Sequence, residues 1–254
     1  MSVVTLEQQS TEPGSGSLVV PPEPRPLGFW SSLAWLTLAC AVGGLVSHVL
    51  VIALGETRIR GVLGSGIFEY TFAVEALGAA PVLVWAIRRA NWPVWNYLAL
   101  SWPRWDVVLR SILYFSICVA AEMTVTSVLG LGQEDDQLMI DAYRAASHAG
   151  KLPMFWLAGV VIAPITEEIV FRGFLYRGWA HSRLGVMGAI AVTSVLFGLM
   201  HTQYTWIGIA FCALSGVLFG WARWRSGTTA LPILLHVLFN LTSMTYIGLH
   251  VALS

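Results

Sequence analysis

The stretch TEEIVFRGFLY, residues 166–176, places two adjacent glutamates and an arginine inside an apolar run that covers about residues 153–180. A run of about 20 mostly apolar residues is long enough to cross a bilayer as a helix. Each charged side chain near the bilayer centre costs about 2.5–3.5 kcal/mol on insertion scales. The stretch therefore predicts a membrane helix whose charged residues either form ion pairs or take part in a function.

The composition of the whole chain is that of an integral membrane protein. Of its 254 residues, 56% are hydrophobic and 11% are charged, and the mean hydropathy is +0.70. Soluble domains carry about 25% charged residues. We predict an all-α fold, a polytopic bundle of membrane helices. Because the net charge is zero and the basic residues are not clustered, we expect no nucleic-acid partner.

Seven segments are long and apolar enough to span a membrane. They cover about residues 28–54, 63–87, 107–130, 153–180, 185–202, 204–224 and 229–252. Residues 1–27 are rich in Ser, Gly, Pro and Glu and predict a disordered tail, which leaves residues 28–254 as the membrane-embedded domain. If these seven segments all cross the membrane, nine of the fourteen Lys and Arg residues lie on the same side of it as the N-terminus. By the positive-inside rule, we expect the N-terminus in the cytoplasm.

Two connecting segments have their own patterns. Residues 91–105, NWPVWNYLALSWPRW, carry four tryptophans near one helical face and two prolines that interrupt a helix. This predicts an interfacial or re-entrant piece in the aromatic belt of the membrane. Residues 133–150 are acidic and then weakly amphipathic, which predicts a surface loop with a short interfacial helix.

Glu168 and Arg172 are four residues apart, so they share one helical face and predict an ion pair. Glu167 lies about 100° further round the helix and has to find a partner on another helix.

Two later segments offer such partners. The sequence FGLMH ends the fifth segment at His201, and HVLFN in the seventh places His236 and Asn240 on one face. We expect the fourth and fifth segments to form a hairpin that turns near residues 182–185. The midpoint of residues 167 and 201 is residue 184, so Glu167 and His201 should lie at the same depth.

These residue types can together catalyse a hydrolysis. A glutamate held by a histidine can act as general base on water, and a His–Asn pair can stabilise an oxyanion. The alternative is that the same polar residues only join helices to one another. Gly216 and Gly220 form a GxxxG pattern that predicts close helix packing. The three cysteines lie in apolar runs, so we expect them to be small residues of the core: Cys40, Cys118 and Cys212.

At these residues the sequence resembles the CPBP intramembrane proteases, which include the type II CAAX prenyl endopeptidases and the bacteriocin-processing and immunity proteins. The three family patterns EExxxR, FxxxH and HxxxN are present in order, within about residues 153–245, the expected catalytic core. The resemblance implies that Glu167 activates water with help from His201. It implies that His236 and Asn240 hold the oxyanion, while Glu168 and Arg172 brace the site.

The resemblance also implies partners and a location. We expect a hydrolase of a bacterial inner membrane that contacts membrane lipid and cleaves a peptide or lipidated protein. No cofactor is favoured. If zinc is bound, Glu167, His201 and His236 are its expected ligands.

Two other functions stay open at this level. Glu75 and Glu122 lie within the second and third segments, where carboxylates can carry protons or cations in a transporter. A protease-like scaffold could instead bind a membrane partner without cutting it.

Overall fold

Helices account for nearly all of the regular structure. The computed structural model describes residues 24–53 and 67–254, and in these ranges the chain forms nine helices and no strand. They are α1 (Phe29–Ala53), α2 (Ile67–Arg89), α3 (Val94–Leu98), α4 (Trp105–Leu129), α5 (Gln133–His148), α6 (Leu152–Ala180), α7 (Gly185–Met200), α8 (Trp206–Ser226) and α9 (Ala230–Leu253). The predicted all-α membrane bundle is confirmed.

Five of the seven predicted spans are recovered among the described residues. Among the described residues, five helices are long and apolar enough to cross a membrane, namely α1, α4, α6, α8 and α9. α7 is apolar but has 16 residues, which at 1.5 Å per residue covers about 24 Å of a hydrocarbon core of about 30 Å. In α2 the side chains are described from residue 73 onward. The first part of the predicted span 63–87 therefore lies outside the described residues.

The predicted tail lies mostly outside the described residues. Residues 24–28 are described, and they have no regular structure. Leu27 nevertheless packs against the main apolar cluster, and its carbonyl group lies where a side chain at Gly178 would collide with it. The chain is therefore already docked on the bundle before α1 begins.

α6 is one long helix made of alternating α and π segments. Its two π segments, Leu157–Ile162 and Ile169–Leu175, flank the short α-helical segment Ala163–Glu168. π segments inside α-helices often occur at functional sites, and here they border the paired glutamates.

The predicted hairpin between the fourth and fifth segments is confirmed. α6 ends at Ala180 and α7 begins at Gly185. The Ser182 N–H donates to the Trp179 carbonyl at 3.1 Å, and the Gly185 N–H donates to the Ser182 carbonyl at 3.1 Å. Gly185 has a φ of 62°, a left-handed conformation that glycine adopts without strain.

The tryptophan-rich segment packs differently from the prediction of four tryptophans on one face. Trp92 is buried, whereas Trp95, Trp102 and Trp105 are exposed. The prolines confine the helical part to the five residues of α3, so the tryptophans do not share one helix. The end of α3 is fastened to the start of α9, because the Thr229 hydroxyl donates to the Leu98 carbonyl at 2.6 Å.

α5 is longer than the short helix predicted for this segment. It has 16 residues, and it buries Ile140, Ala142 and Ala146. Ala142 and Ala146 pack with Phe155 of α6 and Met244 of α9 in one apolar cluster. The segment is thus a structural part of the bundle.

The cysteine prediction was wrong for two of the three. All three thiols are free, but Cys40 and Cys118 are exposed on their helices and only Cys212 is partly buried. In a membrane bundle, the outer helix faces contact lipid, so an apolar run does not separate core from surface.

Small residues bring α7 and α8 together, as the GxxxG pattern predicted. A Cβ atom at Gly216 would lie 3.1 Å from Ser194, and one at Gly220 would lie 3.0 Å from Ile190. Gly198 makes an even closer approach, since its Cβ would lie 2.7 Å from the Ile209 carbonyl oxygen and 2.7 Å from the Ala213 Cβ.

We predict that Gly198→Ala destabilises the protein, because the added methyl group pushes α7 away from the α8 backbone. Overpacking of this kind costs about 1–3 kcal/mol. Thermal unfolding in detergent measures the change. The matched control is Gly44→Ala, a helical glycine whose Cβ would meet no atom within 4 Å. Equal losses in both variants would contradict the proposed contact.

Candidate active site

A buried ion pair lies at the centre of the site. Arg172 Nη1 donates to Glu168 Oε1 at 2.8 Å, and both side chains are fully buried. The two residues are a helical turn apart on α6, as the sequence predicted. Within the described part of the chain, Glu168 Oε2 has no hydrogen-bond partner, so the pair is joined through one carboxylate oxygen.

The guanidinium of Arg172 is held by α8 and by three aromatic rings. Its Nη2 donates to the Gly216 carbonyl at 2.8 Å. Its Cζ lies 4.8 Å from the ring centroid of Phe197, 5.5 Å from that of Phe219 and 5.7 Å from that of Phe171. Cations are attracted to aromatic faces at such distances, so the rings help to stabilise the charge away from water.

His236 of α9 lies against both glutamates. Its Nδ1 is 3.0 Å from Glu168 Oε1, and its Nε2 is 3.9 Å from Glu167 Oε2. Because a buried carboxylate accepts hydrogen bonds, Nδ1 carries the proton of the shorter contact. The ring stacks on Phe219 with a centroid distance of 4.6 Å and an interplanar angle of 21°. Glu168 therefore orients the imidazole and leaves Nε2 on the side of Glu167.

Glu167 is more accessible than its neighbour. Its side chain is 20% exposed, whereas that of Glu168 is fully buried. His236 and His201 both lie within electrostatic reach of its carboxylate. The sequence predicted His201 as a partner of Glu167 only because the two residues should lie at the same depth in the membrane. The structure places both imidazoles near this carboxylate, and His236 is the one at 3.9 Å.

The orientation of His201 explains the FxxxH spacing. Its Nδ1 lies 2.8 Å from the Phe197 carbonyl oxygen, and a carbonyl oxygen can only accept, so Nδ1 is protonated. The backbone N–H of His201 donates instead to Gly198 at the end of α7. The side chain thus caps a carbonyl that the last turn of the helix leaves without a backbone donor.

Asn240 is bound to a carbonyl of the first π segment. Its Nδ2 donates to the Gly159 carbonyl at 2.8 Å. In the π pattern a residue donates to the fifth residue before it, as the Ala163 N–H does to the Ala158 carbonyl. The next donor would be Pro164, which has no N–H. Asn240 therefore supplies the hydrogen bond that Pro164 cannot make.

The conditional zinc site does not take shape as a ligand cluster. Within residues 24–53 and 67–254, no group of three or more His, Cys, Asp or Glu side chains is arranged to hold a metal ion. Glu168 Oε1 is already bound by Arg172 and His236.

The two carboxylates considered for a transporter lie on outer helices. Glu75 is exposed on α2, and Glu122 is partly buried on α4. A Cβ atom at Gly43 would collide with the Glu75 carbonyl, so the close approach of α1 and α2 involves the backbone of this residue.

Sequence reasoning missed the aromatic centre of the site. The Phe197 ring lies 4.8 Å from His201 and 5.7 Å from His236, and the Phe219 ring is fully buried. The Gly159 and Gly216 carbonyls were also missed, because a backbone group leaves no mark in the sequence. Phe197 was visible as the first residue of FxxxH, but its position between the two histidines was not.

Known proteins and one protein family match this part of the chain. Residues 149–242 match the family described as type II CAAX prenyl endopeptidase Rce1-like. The membrane-embedded CAAX protease MroQ of Staphylococcus aureus (strain USA300) is 28% identical over 139 residues, which cover 53% of this chain and 56% of that protein. Both matches support a relation of this part of the chain to the CPBP family.

Two further relatives match over shorter regions. The UPF0177 protein YajF of Lactococcus lactis subsp. lactis (strain IL1403) is 32% identical over 87 residues, which are 34% of this chain and 39% of that protein. An uncharacterized 24.3 kDa protein of Escherichia coli is 38% identical over 80 residues, 30% of this chain and 36% of that protein. The matches thus span about half of these curated relatives or less. No solved structure matches the chain.

We predict that Glu168→Ala destabilises the protein by about 3–5 kcal/mol, because it leaves the Arg172 charge buried without its partner. Equilibrium unfolding in mixed micelles measures the loss. The matched control is the double variant Glu168→Leu with Arg172→Met, which removes both charges and should recover much of the stability. An unfolding midpoint for Glu168→Ala equal to that of the parent would show that the pair does not hold the site.

Proposed function

We propose that the protein is an intramembrane endopeptidase that hydrolyses a peptide bond of a membrane-associated or lipidated substrate. The observation that carries the proposal is the position of Glu167. This partly exposed carboxylate lies 3.9 Å from an imidazole that a second, fully buried glutamate orients. Similarity to the CAAX protease MroQ supports the same reaction class.

In this proposal Glu167 is the general base. A carboxylate that is partly exposed yet surrounded by apolar helices can hold a water molecule and remove its proton. His201 has its Nδ1 bound to the Phe197 carbonyl, so its Nε2 is free to bind the same water. Glu167 and His201 would then orient the attacking oxygen from two sides.

His236 and Asn240 would stabilise the oxyanion that forms when water adds to the peptide carbonyl. The Nδ1–H of His236 is bound by Glu168, so the ring would stabilise the oxyanion through Nε2–H in its doubly protonated form. One amide hydrogen of Asn240 is bound to Gly159, and the second is available to the oxyanion. Donors held in place before the reaction need no reorganisation during it.

Glu168 and Arg172 act through position rather than by touching substrate. Their ion pair fixes the rotation of α6 about its axis, and with it the direction of Glu167. Glu168 also fixes the orientation of the His236 ring. All six residues expected for a catalytic member are present, which favours catalysis over a scaffold that binds without cutting.

We predict that Glu167→Gln lowers the hydrolytic rate about 10²- to 10⁴-fold, the usual contribution of general base catalysis, while the protein stays folded. Membranes that contain the parent or the variant are compared by mass spectrometry of peptide termini. The variant should retain crosslinked, uncleaved substrate. The matched control is Glu75→Gln, which changes an exposed glutamate on α2. Absence of any cleavage product that depends on the parent would contradict the proposal.

We further predict that hydrolysis persists in a metal chelator. Glu168 is bound to Arg172 and His236, and using Glu167 as a metal ligand would leave no separate general base. The protein is purified in chelator, its metal content is measured, and cleavage of prenylated and unprenylated CAAX peptides is followed. Activity that disappears in chelator and returns with one equivalent of zinc would instead make Glu167, His201 and His236 the ligands.

A further inference from the structure

His201 is the first residue of a short loop whose other residues contact α5. This loop, residues 201–205, joins α7 to α8, and the Tyr204 N–H donates to the His201 carbonyl at 3.0 Å. The Tyr204 ring lies parallel to the imidazole, with a centroid distance of 6.0 Å and an interplanar angle of 8°. The His201 ring is thus held on the α7 side by the Phe197 carbonyl and faces Tyr204 on the loop side.

Asp135 of α5 anchors the end of this loop with both carboxylate oxygens. Oδ1 accepts from the Thr205 backbone N–H at 2.7 Å, and Oδ2 accepts from the Thr205 hydroxyl at 2.7 Å. The same hydroxyl accepts from the Gly208 N–H at 3.3 Å and caps the start of α8. Hydrogen bonds to an ionised carboxylate are about twice as strong as neutral ones.

The neighbouring residues leave room for this contact. A Cβ atom at Gly208 would collide with the Asp135 carboxylate, so a larger residue there would displace it. One turn further along α5, Met139 Sδ accepts from the Tyr204 hydroxyl at 3.5 Å. Burial raises the pKa of the Tyr204 hydroxyl above its ordinary value, so this group keeps its proton and acts as a donor. Two residues of α5 thus contact two residues of the loop.

We propose that Asp135 is a positioning residue, which through Thr205 and Tyr204 fixes the His201 imidazole relative to Glu167. The proposal rests on the proposed function, because it gives His201 a task in activating water. α5 lies outside the family match at residues 149–242, whereas the loop lies inside it. The chain therefore uses an element from outside the matched core to orient a residue within it.

A bond that only joined α5 to the bundle would stabilise the fold without affecting His201. The two roles differ in what happens to the imidazole when Asp135 is changed. Asn at this position can still accept from the Thr205 N–H and can place its amide near the Thr205 hydroxyl. It therefore keeps the geometry, whereas Ala removes it.

The test combines NMR and kinetics on the full chain in lipid nanodiscs. With ¹⁵N-labelled histidine, the His201 resonances are assigned by their absence in His201→Gln. We expect Asp135→Ala to shift them and to lower kcat on a prenylated CAAX peptide about 10- to 100-fold, the range seen when a catalytic group is displaced, with KM nearly unchanged. Asp135→Asn should restore both values.

The matched control is Glu134→Ala, which removes an exposed carboxylate from the same turn of α5 and should leave the His201 resonances in place. Thr205→Val removes one of the two bonds and should produce a smaller shift in the same direction. This variant decides the outcome if Asp135→Ala does not fold. His201 resonances that stay at the parent position in the folded variants would overturn the proposal. A parent that cleaves no substrate would refute the proposed function alone, since the NMR comparison needs no turnover.

Discussion

The buried pair of Glu168 and Arg172 is the interaction on which the rest of the site depends. Two opposite charges within an apolar bundle cost free energy unless each is paired and hydrogen-bonded. Here the guanidinium also binds the Gly216 carbonyl and lies among three aromatic rings, and the carboxylate also accepts from His236. The pair therefore connects α6, α8 and α9 at one point.

Close helix packing is a condition for this arrangement. The Arg172 guanidinium reaches the α8 backbone only because residue 216 has no side chain, since a Cβ there would lie 3.1 Å from Nη2. α7 approaches α8 through Gly198 for a similar reason. The glycines and the charged residues therefore depend on each other, because the guanidinium reaches the Gly216 carbonyl only where the helices approach closely.

Much of the fold and of the local site geometry could be predicted from the sequence. Hydrophobic length predicted the helices, and the spacing of four predicted the Glu168–Arg172 pair, since both follow from the period of a helix. What could not be predicted involves contacts between helices. The hydrogen bonds of Glu168 to His236 and of Asn240 to Gly159 depend on how α6 and α9 cross, and the role of Asp135 depends on where α5 packs. The exposure of Cys40 could not be predicted either, because lipid and protein core favour the same residues.

Pro164 has a consequence that reaches beyond its own helix. A proline inside a helix removes a backbone donor, and the carbonyl left over must be satisfied by another group. Here that group is the amide of Asn240. Any residue with an N–H at position 164 would compete for Gly159 and release that amide to rotate. The backbone of one helix therefore sets the rotamer of a side chain on another, and a residue with no polar side-chain atom becomes part of the polar network of the site.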